Sequence, residues 1–181
     1  MNLEQLWLIG GAALALFWML GAHNRLVALR NAIMAAWAQV DEPLQRRSAA
    51  VGALAAGLRE PLRDEQGALE AVMTAQAQLQ AAMAAMRERP AQAPRAAALT
   101  AAEATLAPAL SRLLALLEQH PALAASEALA PQLAALQDAT QRLGFARQLF
   151  NDAVAAYNQA AQQFPTRLLS RLFGFGVAGG L

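Results

Sequence analysis

The 181-residue chain is long enough for one domain with a hydrophobic core, and its composition indicates an all-α fold. Hydrophobic residues make up 57% of the chain, and roughly a quarter of all residues are alanine, the best helix former. A net charge of only +1 argues against a nucleic-acid-binding protein, and the absence of Cys excludes disulfides, thiolate nucleophiles and cysteine metal sites.

The amino-terminal segment is predicted to be a transmembrane anchor over residues 1–23. Residues 6–22 are uniformly apolar or Gly, which corresponds to about 25 Å of helix, slightly short of the hydrocarbon core of a bilayer. Trp7 and Trp18 lie toward the two ends, where amphipathic rings favour the headgroup region. The residues taken to represent the span are Leu6, Trp7, Leu14, Phe17, Trp18 and Leu20.

A cleaved signal peptide is the alternative interpretation of this segment. The flank MNLEQ lacks a basic residue, and Leu20 stands where cleavage before His23 would favour a small side chain. Both observations favour an anchor. Because Arg25 and Arg30 follow the span and no basic residue precedes it, the positive-inside rule places the N-terminus outside and the rest of the chain in the cytoplasm.

Proline and polar connections divide the following residues into long amphipathic helices. The first continues from the anchor to about Leu58; Pro43 either kinks it or begins a new helix, and we expect one kinked helix because no loop cluster accompanies the proline. The second helix is expected over residues 64–88 and the third over residues 96–120.

The caps and the fourth helix complete this prediction. Thr100 and Glu103 fit a capping box near the start of the third helix, and Ser126 is a candidate cap for a fourth helix that ends near Phe164. Four amphipathic helices with short connections predict an antiparallel four-helix bundle of long helices over residues 24–165, following the transmembrane helix.

The fourth helix carries a seven-residue repeat of large apolar side chains. An alanine follows each of the first four large residues after three positions, so a neighbouring helix can approach closely on that side. This pattern predicts a helix-packing seam formed by Leu136, Leu143, Phe150, Tyr157 and Phe164.

Residues 166–181 form a basic amphipathic segment with a Gly-rich end. If the four helices alternate in direction, this segment returns to the bilayer, where it either lies on anionic headgroups or caps the open end of the bundle core. We expect GFGVAGG at its end to be flexible. The candidate membrane-surface residues are Arg167, Leu168, Arg171, Leu172, Phe173 and Phe175.

Two stretches resemble the LemA family: NRLVALRNAIMAAWAQVDEPLQRR (residues 24–47) and RLGFARQLFNDAVAAYNQAAQQFPTRLLSRLFGF (residues 142–175). The intermediate stretch SRLLALLEQHPAL (residues 111–123) is also similar to the family pattern. The resemblance implies a bacterial membrane protein with an amino-terminal membrane helix and a bundle of long helices, and we expect the membrane to be the inner one. It implies no catalytic residue, because no molecular activity is assigned to the family.

The remaining polar residues offer little chemistry. His23 and His120 are widely separated in sequence, and no pattern of inward Glu and Glu-x-x-His pairs indicates a metal site, so we expect neither metal nor cofactor. A polar cluster flanks the seam on the fourth helix. By spacing alone it is either a solvated flank, or a recognition stripe, or a buried hydrogen bond that fixes helix register. The resemblance favours register fixing; the residues are Arg30 and Asn31 on the first helix and Asn151, Asp152 and Asn158 on the fourth.

These observations predict a non-enzymatic, membrane-anchored scaffold that contacts the lipid bilayer and binds itself or other membrane proteins. We expect neither a nucleic-acid partner nor a small-molecule substrate. One alternative is a regulatory adaptor or subunit of a membrane-bound enzyme or protease system; an enzyme that used the polar cluster would have a pocket around Asp152. Another is a membrane-shaping stress protein that uses its Arg-containing tail on anionic lipid.

Overall fold

The structure, a computed structural model, describes residues 3–167 and 173–181, apart from the side chains of Leu3, Glu4 and Leu6. All regular secondary structure in these residues is helical, as the composition predicts. A short 3-10 turn, Arg63–Glu65, precedes the second helix. The helices are α1 (Leu3–Leu58), α2 (Gln66–Glu88), α3 (Ala93–Glu118), α4 (Pro121–Ala124) and α5 (Ala130–Gln162).

The first helix, α1, has two parts with opposite surroundings. It is one helix of 56 residues that passes through Pro43 without interruption, which confirms one helix rather than two. Its first part is exposed on every side, as shown by Trp7 (77% exposed) and Phe17 (72%). Beyond residue 25 it becomes amphipathic, and side chains such as Leu26 and Ile33 are fully buried.

The packed part of α1 contacts α5 and α2, and α2 packs against α3. The ring centroids of Trp37 on α1 and Phe150 on α5 lie 6.1 Å apart, edge to face, in a core made mostly of Leu and Ala. Further along α1, a Cβ atom on Gly57 would lie 2.8 Å from Leu129, so the glycine permits close approach there. The buried amide of Gln76 on α2 donates to the carbonyl oxygen of Ser48 on α1 at 2.6 Å.

Two predicted helix starts are wrong. The third helix begins at Ala93 rather than Ala96, with Pro94 in its first turn, where a proline's fixed φ suits a helix and its missing N–H is not needed. The hydroxyl of Thr100 therefore lies inside α3 and donates to the carbonyl of Ala96 at 3.1 Å, so no capping box forms. The last helix begins at Ala130 instead of Ser126, since the short helix α4 is followed by a bend and turns over residues 125–129.

The predicted seam is one residue too long. Leu136, Leu143, Phe150 and Tyr157 are buried, whereas Phe164 is 80% exposed and lies beyond the end of α5. Pro165 gives the physical reason, since a residue before proline is disfavoured in the helical region and helices usually end at or before it. The cap residue Gln163 is already extended, with ψ at 136°.

Candidate functional site

The carboxyl-terminal residues 173–181, which we call the docked tail, lie beside the end of the apolar part of α1. The ring centroid of His23, directly after that apolar stretch, lies 5.3 Å from the ring of Phe173 and 5.5 Å from that of Phe175, both edge-on. The amino-terminal third of α1 and the end of the chain therefore meet at one place in the fold.

Asn151 and Asn158 on α5 bind the main chain of the docked tail, and we call this pair the amide clamp. The amide of Asn158 donates to the carbonyl of Ala178 and accepts from its N–H, both at 2.9 Å. Asn151 makes the same two bonds with Leu181, both at 2.8 Å. The spacings match, because two helical turns on α5 and three residues of extended chain both cover about 10 Å.

Tyr157 supports the same segment from the seam of α5. Its hydroxyl donates to the carbonyl oxygen of Gly176 at 3.0 Å, while its ring is buried. Burial raises the pKa of the Tyr157 hydroxyl, and the positive charge of Arg30 opposes part of that increase.

The docked tail needs small residues where it meets α3 and α5. Ala178 is buried, with 4% of its surface exposed. A Cβ atom on Gly179 would lie 2.7 Å from the Cα atom of Ala93, and one on Gly180 would lie 2.7 Å from the side-chain oxygen of Asn151. Since the first of these obstacles is backbone, it cannot move aside, and the Gly-rich composition of this segment serves close packing.

These contacts correct two predictions. The Gly-rich end, expected to be flexible, is docked along α5. The asparagines bind this segment, whereas the prediction paired them with Arg30 or Asn31 on α1. The seven-residue spacing of the asparagines showed that they share a face of the helix, but no pattern in the sequence indicates which backbone they bind. Asp152, the third polar residue of the cluster on α5, is exposed.

A cavity of about 900 Å³ lies between α1, the α2–α3 connection, α5 and the docked tail. We call it the basic cavity, because its charged lining residues are Arg30, Arg89 and Glu88, together with His23. Tyr157 and the docked tail form another part of its wall, so the amide clamp indirectly fixes the shape of the cavity.

The comparison with protein families agrees with the resemblance noted in the sequence. The model of the LemA family matches residues 36–179. This chain belongs to the LemA family. The matched residues include most of α1 beyond its apolar part, all of α2 to α5, and the docked tail up to Gly179. No curated protein sequence matches this LemA family protein.

A second polar site, formed by Arg47, Glu103 and Arg147, lies among the packed helices of this LemA family protein and joins α1, α3 and α5. We call these residues the charge cluster. Both arginines pair with the single carboxylate of Glu103, at 3.2 Å for Arg47, and the side chains of Arg47 and Glu103 are 13% and 11% exposed. Burial lowers the pKa of both arginines, and for Arg147 the repulsion from Arg47 adds to that effect. Sequence reasoning assigned Glu103 to a helix cap and missed this site.

The remaining predicted residues of the LemA protein lie near the two chain ends. Trp7, Leu14, Phe17, Trp18 and Leu20 are all exposed, and the side chain of Leu6 lies outside the described residues. Arg167 is exposed and Phe173 is 52% exposed, whereas Phe175 is half-buried and packs against the core. Leu168, Arg171 and Leu172 fall in the part of the chain that the structure does not describe.

The apolar helices and the arrangement of possible metal ligands indicate which kinds of site the structure contains. By length and composition, α1 and α3 are each apolar enough to cross a membrane, but the apolar window of α1 is 6% buried, against 28% for α3. The hydropathy of α3 arises partly from the leucines that it buries in the core. Within residues 3–167 and 173–181, no group of three or more His, Cys, Asp or Glu side chains is arranged to hold a metal ion.

Proposed function

We propose that this LemA family protein is a membrane-anchored helical scaffold, without enzymatic activity of its own, that binds a second copy or another membrane protein. One observation carries the proposal. A single continuous helix exposes most of an apolar stretch over residues 7–22 and then enters the packed core. Water disfavours so large an apolar surface, whereas a bilayer accommodates it.

The proposed arrangement is an anchor over residues 1–23, an antiparallel four-helix bundle over residues 24–165, and a carboxyl-terminal segment over residues 166–181 at the membrane surface. Two contacts support an antiparallel arrangement of α1 and α5. Trp37 contacts Phe150 in α5, whereas Gly57, which lies later in α1, meets Leu129, which lies at the start of α5. The position of Phe173 beside His23 supports a carboxyl-terminal segment near the membrane.

The proposed topology places the N-terminus outside and the bundle in the cytoplasm, in the inner membrane of a bacterium. The basic residues Arg25 and Arg30 lie directly after the apolar stretch, which supports this orientation. The chain lacks Cys, so a single introduced cysteine can be labelled uniquely. In intact spheroplasts, an impermeant thiol reagent is expected to label Gln5→Cys, and to label Glu118→Cys only after lysis.

The surface of α5 supports an interaction role. Phe145 and Leu149 are 67% and 36% exposed, lie one turn apart, and face away from the core. The enzyme alternative expected a pocket around Asp152, but that side chain is exposed and does not line the basic cavity. The amide clamp of this protein binds main chain within the molecule, which is a structural task.

Alkaline carbonate extraction tests the anchor. We expect the full chain to stay with the membrane pellet and a variant lacking residues 1–22 to appear in the supernatant. Recovery of the full chain in the supernatant contradicts anchoring. Mass photometry of the full chain in nanodiscs then tests self-association: a discrete multiple of the 19.1 kDa chain mass supports a self-assembling scaffold. A monomeric mass would indicate that the binding partner is a different membrane protein.

A further inference from the structure

The basic cavity contains two arginines that no acidic side chain neutralises. Neither Arg30 nor Arg89 forms an ion pair or a side-chain hydrogen bond within the described residues. Among the described residues, Glu88 is the only carboxylate in the lining, and it pairs with Arg95 at 2.8 Å. The described residues of the cavity therefore carry an excess of positive charge.

Two further features favour an anion in the cavity. His23 lines the cavity, and its half-buried imidazole can donate a hydrogen bond to an anion there. The helix α3 begins at Ala93 on the wall of the cavity, and the amino-terminal end of a helix carries partial positive charge. A ligand oxygen would accept a hydrogen bond from this imidazole and lie in the favourable field of α3.

The position of the cavity indicates where such an anion comes from. His23 directly follows the apolar stretch of α1, and Arg30 lies two turns further on, about 10 Å along the helix. The polar headgroup layer of a bilayer begins where an apolar span ends. Next to the cationic groups, the docked tail exposes Phe173 (52%) and Val177 (63%). Adjacent cationic and apolar surfaces match a ligand that is both anionic and apolar.

We propose that the basic cavity binds the phosphate group of an anionic phospholipid. Arg30 and Arg89 contact the phosphate oxygens, and the imidazole of His23 donates to one of them. The exposed side chains of Phe173 and Val177 contact the glycerol and the beginning of the acyl chains. The inference rests on the proposed function for the source of the ligand, since only an anchored protein holds this cavity at the headgroup layer.

The test uses the full chain in a neutral maltoside detergent and measures the binding of short-chain phosphatidylglycerol by native mass spectrometry. Phosphatidylcholine and inorganic phosphate are the comparison ligands. The variants are Arg30→Gln and Arg89→Gln. The matched control is Arg25→Gln, which removes the same charge from the same end of α1 but does not line the cavity. All three arginines are exposed, so we expect each variant to fold, with helicity checked by circular dichroism.

We expect phosphatidylglycerol to bind more tightly than phosphatidylcholine, and to lose about tenfold or more in affinity with Arg30→Gln or Arg89→Gln. Arg25→Gln should change the affinity by less than about twofold. Equal losses in all three variants would show general surface attraction and overturn the proposal. Binding of inorganic phosphate as tight as that of phosphatidylglycerol would assign the cavity to a soluble phosphate compound and overturn the lipid source.

This test is separable from the test of anchoring. A chain that binds phosphatidylglycerol through Arg30 and Arg89 but is released by carbonate would refute the anchor while supporting phosphate recognition in the cavity. A chain that stays in the membrane but binds phosphatidylglycerol and phosphatidylcholine equally would overturn the lipid proposal and leave the scaffold standing.

Discussion

The charge cluster and the amide clamp both place polar side chains of α5 against other parts of the molecule, but they use different physics. In the charge cluster, Glu103 shares one negative charge between Arg47 and Arg147, in surroundings that disfavour charge. In the amide clamp, Asn151 and Asn158 are neutral and satisfy the donors and acceptors of a segment that has no secondary structure of its own.

The charge cluster and the amide clamp therefore constrain different properties of the segments that they hold. A buried ion pair between packed helices forms only at helix positions that bring the opposite charges together, so we infer that the charge cluster favours one register of α1, α3 and α5. A side-chain amide that binds backbone N–H and C=O groups does not distinguish between different side chains on the bound segment. The size of the docked tail is restricted instead by close packing, since a Cβ atom on Gly179 would lie 2.7 Å from the Cα atom of Ala93.

The largest expected effect comes from removing the shared carboxylate. Glu103→Gln leaves two partly buried guanidinium groups without a counter-charge, and we expect the free energy of unfolding to fall by about 3 kcal/mol. This value is at the lower end for a broken buried pair, because the Arg147 side chain is 33% exposed. Chemical denaturation of the detergent-solubilised chain, followed by circular dichroism, measures the change.

The control for that prediction is Glu42→Gln, which breaks the solvent-exposed ion pair with Arg46. We expect it to change the free energy of unfolding by less than about 0.5 kcal/mol. If the two substitutions have equal effects, the charge cluster does not contribute through its burial, and the proposed difference between cluster and clamp is wrong.

The amide clamp is expected to give a smaller effect. Asn158→Ala removes both hydrogen bonds to Ala178, which should lower the free energy of unfolding by about 2 kcal/mol and speed hydrogen exchange in the docked tail. Asp152→Ala is the matched control, because it makes a similar change in helix propensity at an exposed position of α5. Unchanged exchange in Asn158→Ala would mean that other contacts hold the tail.

The smallest effect is a pH dependence at Tyr157, the only tyrosine in the chain. Because burial raises its pKa, the unfolded state loses this proton first, near pH 10. The resulting stabilisation is complete below about pH 10 and is lost as the pH rises through the folded pKa. Absorbance titration should give a midpoint above 10 in the folded chain, and a still higher one in Arg30→Gln. A midpoint at or below 10 would contradict the burial of the hydroxyl.

Much of the fold followed from local rules. Alanine content and heptad spacing predicted long helices, and the lack of a loop cluster around Pro43 favoured the single helix α1. The alternation of large and small residues identified the buried side chains Leu136, Leu143 and Phe150. The resemblance at residues 24–47 and 142–175 identified the LemA family. Each of these signals is carried by residues within one helix, where the sequence fixes the spacing directly.

The candidate site was not predictable in the same way. Asn158 and Ala178 are 20 residues apart, and Arg47 and Glu103 are 56 apart, so both contacts depend on how separate segments meet. A polar side chain on a helix has the same periodicity whether it faces water, a helix or an extended tail. The sequence by itself therefore determined the helices, their apolar faces and the exposed apolar start of α1. Only the tertiary structure decided what the polar side chains bind, because long-range packing, and not local spacing, selects their partners.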